Sequence, residues 1–344
     1  AFLLQKPLPR QVVYVEGRRL IFDTMKHIPY LDFIKGFAIL AVIFLHCLPN
    51  EQIGAIVHIG QAVPLFLLVS SVLTFCKLAS SRVADYYRFP SFAKLFHRVF
   101  KPFLGMTAVQ ILIYWALKGD VDWHTLFTQG GFGPGSYYPW IYAQCWLVLP
   151  LIVIAVRRFS WKITLPAFVV VCVLLEIATS LFVANSDVYR LAFYRYLFLL
   201  YLGCLATHYQ LRLTPVVCVL GIISLGCCLA DVYSPVRFTP LICDFWPGYH
   251  WPMYAYSLLF FFILRKMYDF LKDTAVERIL SLLGTYSYEI FLAQMFVYSF
   301  LNIRRLSFIE NPSLRLAAFA GIILFLSIVP VVSYKLLRKK MARK

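Results

Sequence analysis

The chain alternates between long apolar runs and shorter polar segments that carry most of the charge. Each run approaches the roughly 20 residues that an α-helix needs to cross a bilayer. The pattern predicts ten transmembrane helices, over 30–49, 59–79, 101–117, 140–157, 163–183, 191–209, 214–232, 252–267, 285–303 and 314–334. It therefore predicts an all-α polytopic membrane protein, with a membrane domain over 30–334 between an N-terminal segment, 1–29, and a basic tail, 335–344.

The composition agrees with this prediction. Of the 344 residues, 61% are hydrophobic and 14% are charged, whereas soluble domains carry about 25% charged residues. The sequence contains no GxGxxG, Walker A or HExxH motif, and its nine cysteines have no metal-ligand spacing. No metal is therefore expected.

The positive charge is distributed unevenly between the two predicted sides. If the N-terminus is cytoplasmic, most of the 33 Lys and Arg residues lie on the inner side, and the outer loops hold only Lys118, Arg190, Arg237, Arg304, Arg305 and Arg315. Loops rich in Lys and Arg are typically cytoplasmic. Both termini are therefore predicted to be cytoplasmic. The net charge of +17 is expected to face anionic lipid headgroups of the bilayer rather than nucleic acid.

Three ionisable residues lie in the first apolar run: Asp32, Lys35 and His46. Lys35 and His46 are eleven positions apart, about three helical turns, so they share one helix face about 16 Å apart along the axis. Ionisable groups inside a membrane span indicate a functional site. The alternative is that all three lie at the membrane interfaces, with Asp32 and Lys35 snorkelling.

Three segments resemble the signatures of the membrane acyltransferase 3 family. The run LD-x-x-K-G-x-x-I-x-x-V-x-x-x-H resembles the family's first helix, with Lys35 where Arg is usual and His46 at the histidine position. The segment VPLFLLVSS, 63–71, resembles a second signature, with Ser71 where Gly is commoner. SYEIFLAQ, 287–294, resembles a third, with Gln294 in place of the usual His.

The resemblance implies a membrane-bound O-acyltransferase that takes an acetyl group from cytoplasmic acetyl-CoA. Lys35 and Arg98, with the rest of the basic connector Ser80–Arg98, would bind the donor's phosphates. His46 would be the general base, because histidine ordinarily titrates near neutral pH. Ser70 is a further donor-site candidate, although a helical Ser more often bonds its own i−4 carbonyl. Arg195 is another, with a buried Glu176–Arg195 ion pair as its alternative.

The acceptor side is less well defined by the sequence. The resemblance implies a hydroxyl of a cell-envelope or exported polysaccharide, or of its lipid-linked precursor, in a bacterial inner membrane. The candidate acceptor-binding residues are Tyr138, Trp140, Gln144 and Glu289. An aromatic belt at the membrane interface also explains Tyr138 and Trp140, and Glu289 is equally suited to an ion pair with Lys35.

Two other functional classes are kept at this point. A polysaccharide or glycolipid transporter without covalent chemistry would use the buried charges to line a path, and it predicts discontinuous helices in two related halves. The halves of this chain show no obvious similarity. A membrane sensor is the third class, and self-association of the chain is left open.

Overall fold

The computed structural model describes residues 13–15, 18–20, 28–48, 57–183, 185–234 and 238–341. Two short strands, Val13–Val15 (β1) and Arg18–Leu20 (β2), pair antiparallel with Val13 opposite Leu20. The rest of the predicted N-terminal segment up to residue 27, and the last three residues of the predicted basic tail, lie outside the described residues.

Apart from this strand pair, the regular structure in the described part of the chain is helical. The helices are α1 Pro29–Cys47, α2 Val57–Ser80, α3 Val83–Tyr86, α4 Phe89–Leu95, α5 Lys101–Lys118, α6 Trp123–Thr128, α7 Tyr138–Arg158, α8 Trp161–Phe182, α9 Ser186–Leu191, α10 Leu197–His208, α11 Pro215–Tyr233, α12 Tyr254–Leu271, α13 Ala275–Thr285, α14 Ser287–Phe300 and α15 Pro312–Met341. A π-helical turn, Phe96–Phe100, joins α4 to α5, and 3₁₀ turns cover Phe193–Tyr196, Trp251–Met253 and Ile303–Leu306.

Seven helical segments in the described residues are long and apolar enough to cross a membrane. They are Pro29–Cys47, Gln61–Ala79, Phe89–Lys118, Tyr138–Arg158, Trp161–Phe182, Pro215–Tyr233 and Pro312–Arg338. The multi-pass architecture is therefore confirmed. The other three predicted spans correspond to α10, α12 and α14. Helices α10 and α14 have only 12 and 14 residues, and α12 ends in a charged segment. The count of ten spans and the cytoplasmic termini stay predictions.

Helix starts and stops follow local sequence signals. Proline stands in the first turn of α1, α5, α7 and α11, where its missing N–H costs nothing and its fixed φ suits a helix. Side chains cap other starts: Ser160 accepts from the Lys162 N–H, and Thr274 accepts from the Glu277 N–H. Gly119, with φ of 71°, ends α5.

Helices α1 and α2 lie in the interior of the bundle. In both spans 61% of the residues are buried, compared with 17% in α8 and 22% in α11, whose apolar side chains face outward. Leu31, Phe33 and Ile34 of α1 pack in a core shared with α2, α7, α10 and α12, while Ile39 and Ile43 pack with α14 and α15. The helix that carries Lys35 and His46 is therefore fixed from several sides.

Helices α1 and α13 approach each other at backbone contact. A Cβ added to Gly36 would lie 1.8 Å from the carbonyl oxygen of Leu280, and one added to Gly284 would lie 1.7 Å from the carbonyl oxygen of Asp32. Only glycine permits this contact, since real Cβ atoms essentially never come within 3.0 Å of another heavy atom. The pairing holds Asp32 and Lys35 against the C-terminal third of the chain.

Candidate active site

A cavity of about 710 Å³ lies among α1, α2, the α4–α5 segment, α7, α14 and the end of α15. Its cationic lining residues come from helix ends on the predicted cytoplasmic side: Lys35, Lys77, Lys94, Arg98 and Lys335. Deeper in the bundle the lining is mostly apolar and aromatic, and includes Val42, Phe66, Tyr138 and Phe291. The cavity therefore combines a basic entrance with an apolar interior.

Lys35 lies in the first half of α1 and faces the cavity. Its Nζ is 2.6 Å from Oδ1 of Asp32, one turn earlier on the same helix. The Lys35 side chain keeps 24% of its surface exposed, so the pair orients the ammonium without enclosing it. The two side chains form an ion pair within one turn of α1.

Glu289 also lines the cavity, but it pairs with another cation. Its Oε1 accepts a hydrogen bond from Nζ of Lys335 at 2.5 Å. The predicted alternative, an ion pair between Glu289 and Lys35, is therefore wrong. Lys335 belongs to the end of α15 and reaches Glu289 because α14 and α15 pack side by side.

Ser70 lines the cavity on α2 with its hydroxyl already bonded. Its Oγ donates to the carbonyl oxygen of Phe66 at 3.0 Å, which is the i−4 bond weighed as the alternative to a donor-site role. The hydroxyl also interacts with Tyr142 on α7. Ser70 is thus at the predicted site, with local partners that account for its hydroxyl.

His46 lies in the last turn of α1, one turn beyond the cavity-lining Val42. Its side chain is exposed, and its ring packs edge-on against the Tyr298 ring with centroids 5.9 Å apart. The Tyr298 hydroxyl donates to the Ile43 carbonyl oxygen at 2.8 Å. The nearby cation that acts on His46 electrostatically is Arg190. The candidate base therefore lies at the far end of α1 from Lys35.

The glycine-rich loop before α7 folds into the bundle beside the cavity. Gly130, Gly131, Gly133 and Gly135 all have positive φ, a conformation that other residues adopt only with strain. Gly133 and Gly135 pack on α14, and Gln294 Nε2 donates to the Pro134 carbonyl oxygen at 3.4 Å. Gln294, which stands where the family usually has His, thus contacts this loop.

Two consecutive tyrosines connect this loop to different surroundings. Tyr138 lines the cavity, whereas Tyr137 is 7% exposed and packs against the guanidinium groups of Arg190 and Arg195. Trp246, from the loop between α11 and α12, packs edge-on against Tyr137 with ring centroids 5.7 Å apart. The loop therefore separates the cavity from a cluster of two arginines and aromatic rings.

A buried hydrogen-bond network holds the loop that carries Trp246. Gln61 Nε2 donates to the Gly248 carbonyl oxygen at 2.5 Å, and the Gly248 N–H donates to Asp231 Oδ2 at 2.6 Å. His250 is fully buried, and its Nδ1 lies 3.2 Å from Glu176 Oε1. This network fixes the loop from α2, α8 and α11.

Glu176, Cys243 and His250 are also the residue types that bind transition metals, and their ligand atoms lie within 4.8 Å of one another. The carboxylate, however, already accepts from the Tyr189 hydroxyl at 3.1 Å and from the Cys243 N–H at 3.1 Å. Burial raises the pKa of the Cys243 thiol to about 12, so the thiol is protonated at neutral pH. The arrangement fits a hydrogen-bonded network better than a metal site.

The comparison with known protein families decides the classification. The family model for the acyltransferase domain of the acyltransferase 3 type matches residues 28–333. The chain belongs to the acyltransferase 3 family. No curated protein and no solved structure gave a significant match.

In this acyltransferase, five residues predicted for the site line one cavity: Lys35, Ser70, Arg98, Tyr138 and Glu289. Arg195 does not line it, and the predicted Glu176–Arg195 ion pair is wrong, because Glu176 bonds to Tyr189, Cys243 and His250 instead.

Trp140 and Gln144, predicted to bind the acceptor, donate hydrogen bonds to backbone carbonyls in the acyltransferase. Trp140 Nε1 donates to the Gly130 carbonyl oxygen at 2.8 Å, and Gln144 Nε2 donates to the Leu191 carbonyl oxygen at 2.9 Å. Contact of either residue with the acceptor stays a prediction.

Sequence reasoning missed several charged residues around the site. Lys77 and Lys335 join the cationic entrance. Lys77 lies at the end of the predicted span 59–79, and Lys335 is one of several cations in the predicted basic tail. Arg190 was expected only as one of the few cations of the outer loops. That scarcity was the available signal, since an isolated arginine on the sparsely charged side needs a reason to be there.

Proposed function

We propose that the chain is an O-acyltransferase that moves an acetyl group from cytoplasmic acetyl-CoA to a hydroxyl of a cell-envelope or exported polysaccharide, or of its lipid-linked precursor, in a bacterial inner membrane. The observation that carries this proposal is the cavity of about 710 Å³, which extends from a cationic entrance to Val42, one helical turn short of His46. Its volume falls within the roughly 300–1,000 Å³ of typical ligand pockets.

The donor fits this cavity by its chemistry. Its pyrophosphate and 3′-phosphate need cations, which Lys35, Lys94 and Arg98 supply at the entrance. Its pantetheine arm is slender and largely uncharged, so it suits the apolar interior between α1, α2 and α14. Lys35 and His46 lie on one uninterrupted helix, about 16 Å apart along its axis, which spaces the phosphate end from the thioester end.

The transfer itself needs one base. His46 takes the proton from the acceptor hydroxyl as its oxygen attacks the thioester carbonyl carbon. The carbon–sulfur bond then breaks, and the leaving thiolate of CoA takes up the proton. The products are the acetyl ester of the acceptor and free CoA.

A transporter without covalent chemistry is less well supported. The match to an acyltransferase family over 28–333 favours group transfer, and no feature of the described residues specifically favours transport.

Binding of acetyl-CoA to the purified protein in detergent tests the donor assignment. Wild type should bind saturably, and Lys35→Ala should bind roughly 10-fold to 100-fold more weakly, because a hydrogen bond to a charged group contributes about 1.5–3 kcal/mol. Lys118→Ala is the matched control, since Lys118 lies over the Tyr114 ring away from the cavity. Free CoA and ATP serve as competitors.

Equal affinity of wild type and Lys35→Ala would contradict the placement of the phosphates at Lys35. Absence of binding to a folded wild-type sample would contradict acetyl-CoA as the donor, and with it the proposed reaction.

A further inference from the structure

Two arginines share the same pair of aromatic rings on the His46 side of the glycine-rich loop. Cζ of Arg190 lies 5.0 Å from the Tyr137 ring centre and 5.5 Å from the Trp246 ring centre. Cζ of Arg195 lies 5.3 Å and 4.8 Å from the same two centres. Two positive charges therefore flank one Tyr–Trp pair.

The hydrogen-bonding capacity of these arginines is largely unused. Among the described residues, no hydrogen-bond partner reaches Nε, Nη1 or Nη2 of Arg195, which is 2% exposed, or Nε of the half-buried Arg190. Buried charges are normally paired, because removing them from water is costly. Stacking on aromatic faces stabilises a guanidinium but leaves its N–H groups without acceptors.

The nearby acidic residues do not pair with Arg190 or Arg195. Within the described ranges, no carboxylate oxygen forms an ion pair with either guanidinium. Asp187 acts on Arg190 only at longer range, and Glu176 is bonded to Tyr189, Cys243 and His250. The cluster therefore has two positive charges and four nitrogen atoms without a hydrogen-bond acceptor in the described part of the chain. A bound anion would neutralise the charges and accept these hydrogen bonds.

The position of the pair assigns it to the acceptor rather than to the donor. Arg190 acts electrostatically on His46, while neither arginine lines the cavity with the cationic entrance. Tyr137 and Tyr138 lie between the arginine pair and this cavity. A ligand bound at Arg190 would therefore lie within electrostatic reach of His46 without occupying the donor cavity.

The backbone of the loop between α11 and α12 indicates that the arginine–aromatic cluster has a function. Trp246 has φ of 57°, an unusual and strained conformation for a bulky residue. The hydrogen-bond network around Gly248 and His250 holds this conformation and so keeps the Trp246 ring against the arginines.

We propose that Arg190 and Arg195 bind an oxyanion of the acceptor, a carboxylate or a phosphate, next to the hydroxyl that is acylated. The inference rests on the proposed function, which it deepens by naming an anionic acceptor. A guanidinium is suited to this task because its planar N–H groups match the two oxygens of such an anion.

The test measures thermal stability of the purified protein in detergent with acetyl-CoA at saturation, so that the cationic entrance is already occupied. Glucuronate, inorganic phosphate or neutral glucose is then titrated at constant ionic strength. At least one oxyanion should raise the unfolding temperature of wild type in a saturable way, and glucose should not. A larger effect of glucuronate indicates a sugar acid, and a larger effect of phosphate indicates a phosphate-linked acceptor.

Three variants separate the outcomes. Arg190→Gln should lose the oxyanion effect and keep acetyl-CoA binding, while Arg304→Gln, on an exposed outer-side turn, should keep both. Arg195→Lys should weaken the oxyanion effect, because an ammonium lacks the planar fork. An oxyanion effect that is absent in wild type, or unchanged in Arg190→Gln, would overturn the inference while acetyl-CoA binding still upheld the proposed function. Failure of acetyl-CoA to bind wild type would overturn both.

Discussion

The contact between α1 and α13 gives a sharp prediction for the substitution Gly284→Ala. The new Cβ would lie 1.7 Å from the Asp32 carbonyl oxygen and 2.8 Å from the Gly36 nitrogen. Both neighbours are backbone atoms of α1, so no side-chain rotation can relieve the overlap. To restore the minimum separation of 3.0 Å, the two helices must move apart by more than 1 Å.

Overpacking of this kind typically costs about 1–3 kcal/mol. The gain in helix propensity from Gly to Ala, about 0.5–1 kcal/mol, offsets only part of it. We therefore expect Gly284→Ala to unfold at a lower temperature than wild type in detergent. We also expect weaker acetyl-CoA binding, because the displaced segment of α1 carries Lys35, and a misplacement of about 1 Å at a site can cost on the order of 10²-fold.

Gly321→Ala is the matched control. It makes the same substitution inside a helix, but its new Cβ would have nothing within 4 Å. It should unfold at the wild-type temperature or slightly above it. If Gly284→Ala and Gly321→Ala proved equally stable and bound acetyl-CoA equally well, the close α1–α13 contact and its role in positioning Lys35 would be refuted.

Two further substitutions test the site. Gln61→Ala removes the donor to the Gly248 carbonyl oxygen and the acceptor for the Ser257 hydroxyl. Because each buried group left unsatisfied costs about 1–3 kcal/mol, the variant should unfold at a lower temperature than wild type. An unchanged unfolding temperature would contradict the role of the network. Ser70→Ala should change acetyl-CoA affinity only slightly, because the Ser70 hydroxyl already bonds to the Phe66 carbonyl oxygen. A loss of affinity comparable to that of Lys35→Ala in the same assay would instead show that Ser70 contacts acetyl-CoA.

The part of the site that sequence could predict is the part that lies on one helix. Lys35 and His46 are separated by a whole number of turns, so their common face follows from helical geometry alone. Asp32 paired with Lys35 for the same reason. These relations need no knowledge of the rest of the fold.

Side-chain pairs between helices far apart in the sequence were harder to predict. Glu289 was expected as a partner of Lys35, whereas it bonds to Lys335 because α15 packs beside α14. Glu176 was expected to pair with Arg195 on the neighbouring helix. It pairs with His250 because the loop between α11 and α12 folds back onto α8.

The arginine cluster could not be predicted from local sequence. Tyr137 and Trp246 look like ordinary members of an interfacial aromatic belt, and Arg190 and Arg195 belong to a short helix and a 3₁₀ turn with no distinctive motif. Only the folding of two loops toward each other brings these four residues together. The shortness of α10 and α14 was likewise hidden, because apolar sequence continues past the ends of both helices.

The central claim is acyl transfer with His46 as its base, and one measurement addresses it most directly. Cells that express wild type or His46→Ala are supplied with labelled acetate, and alkali-labile label is counted in the purified surface-glycan fraction. The account predicts incorporation with wild type and a loss of about 10²–10⁴-fold with His46→Ala, at equal protein level and with acetyl-CoA binding retained by the purified variant. Equal incorporation by the two proteins would contradict the account.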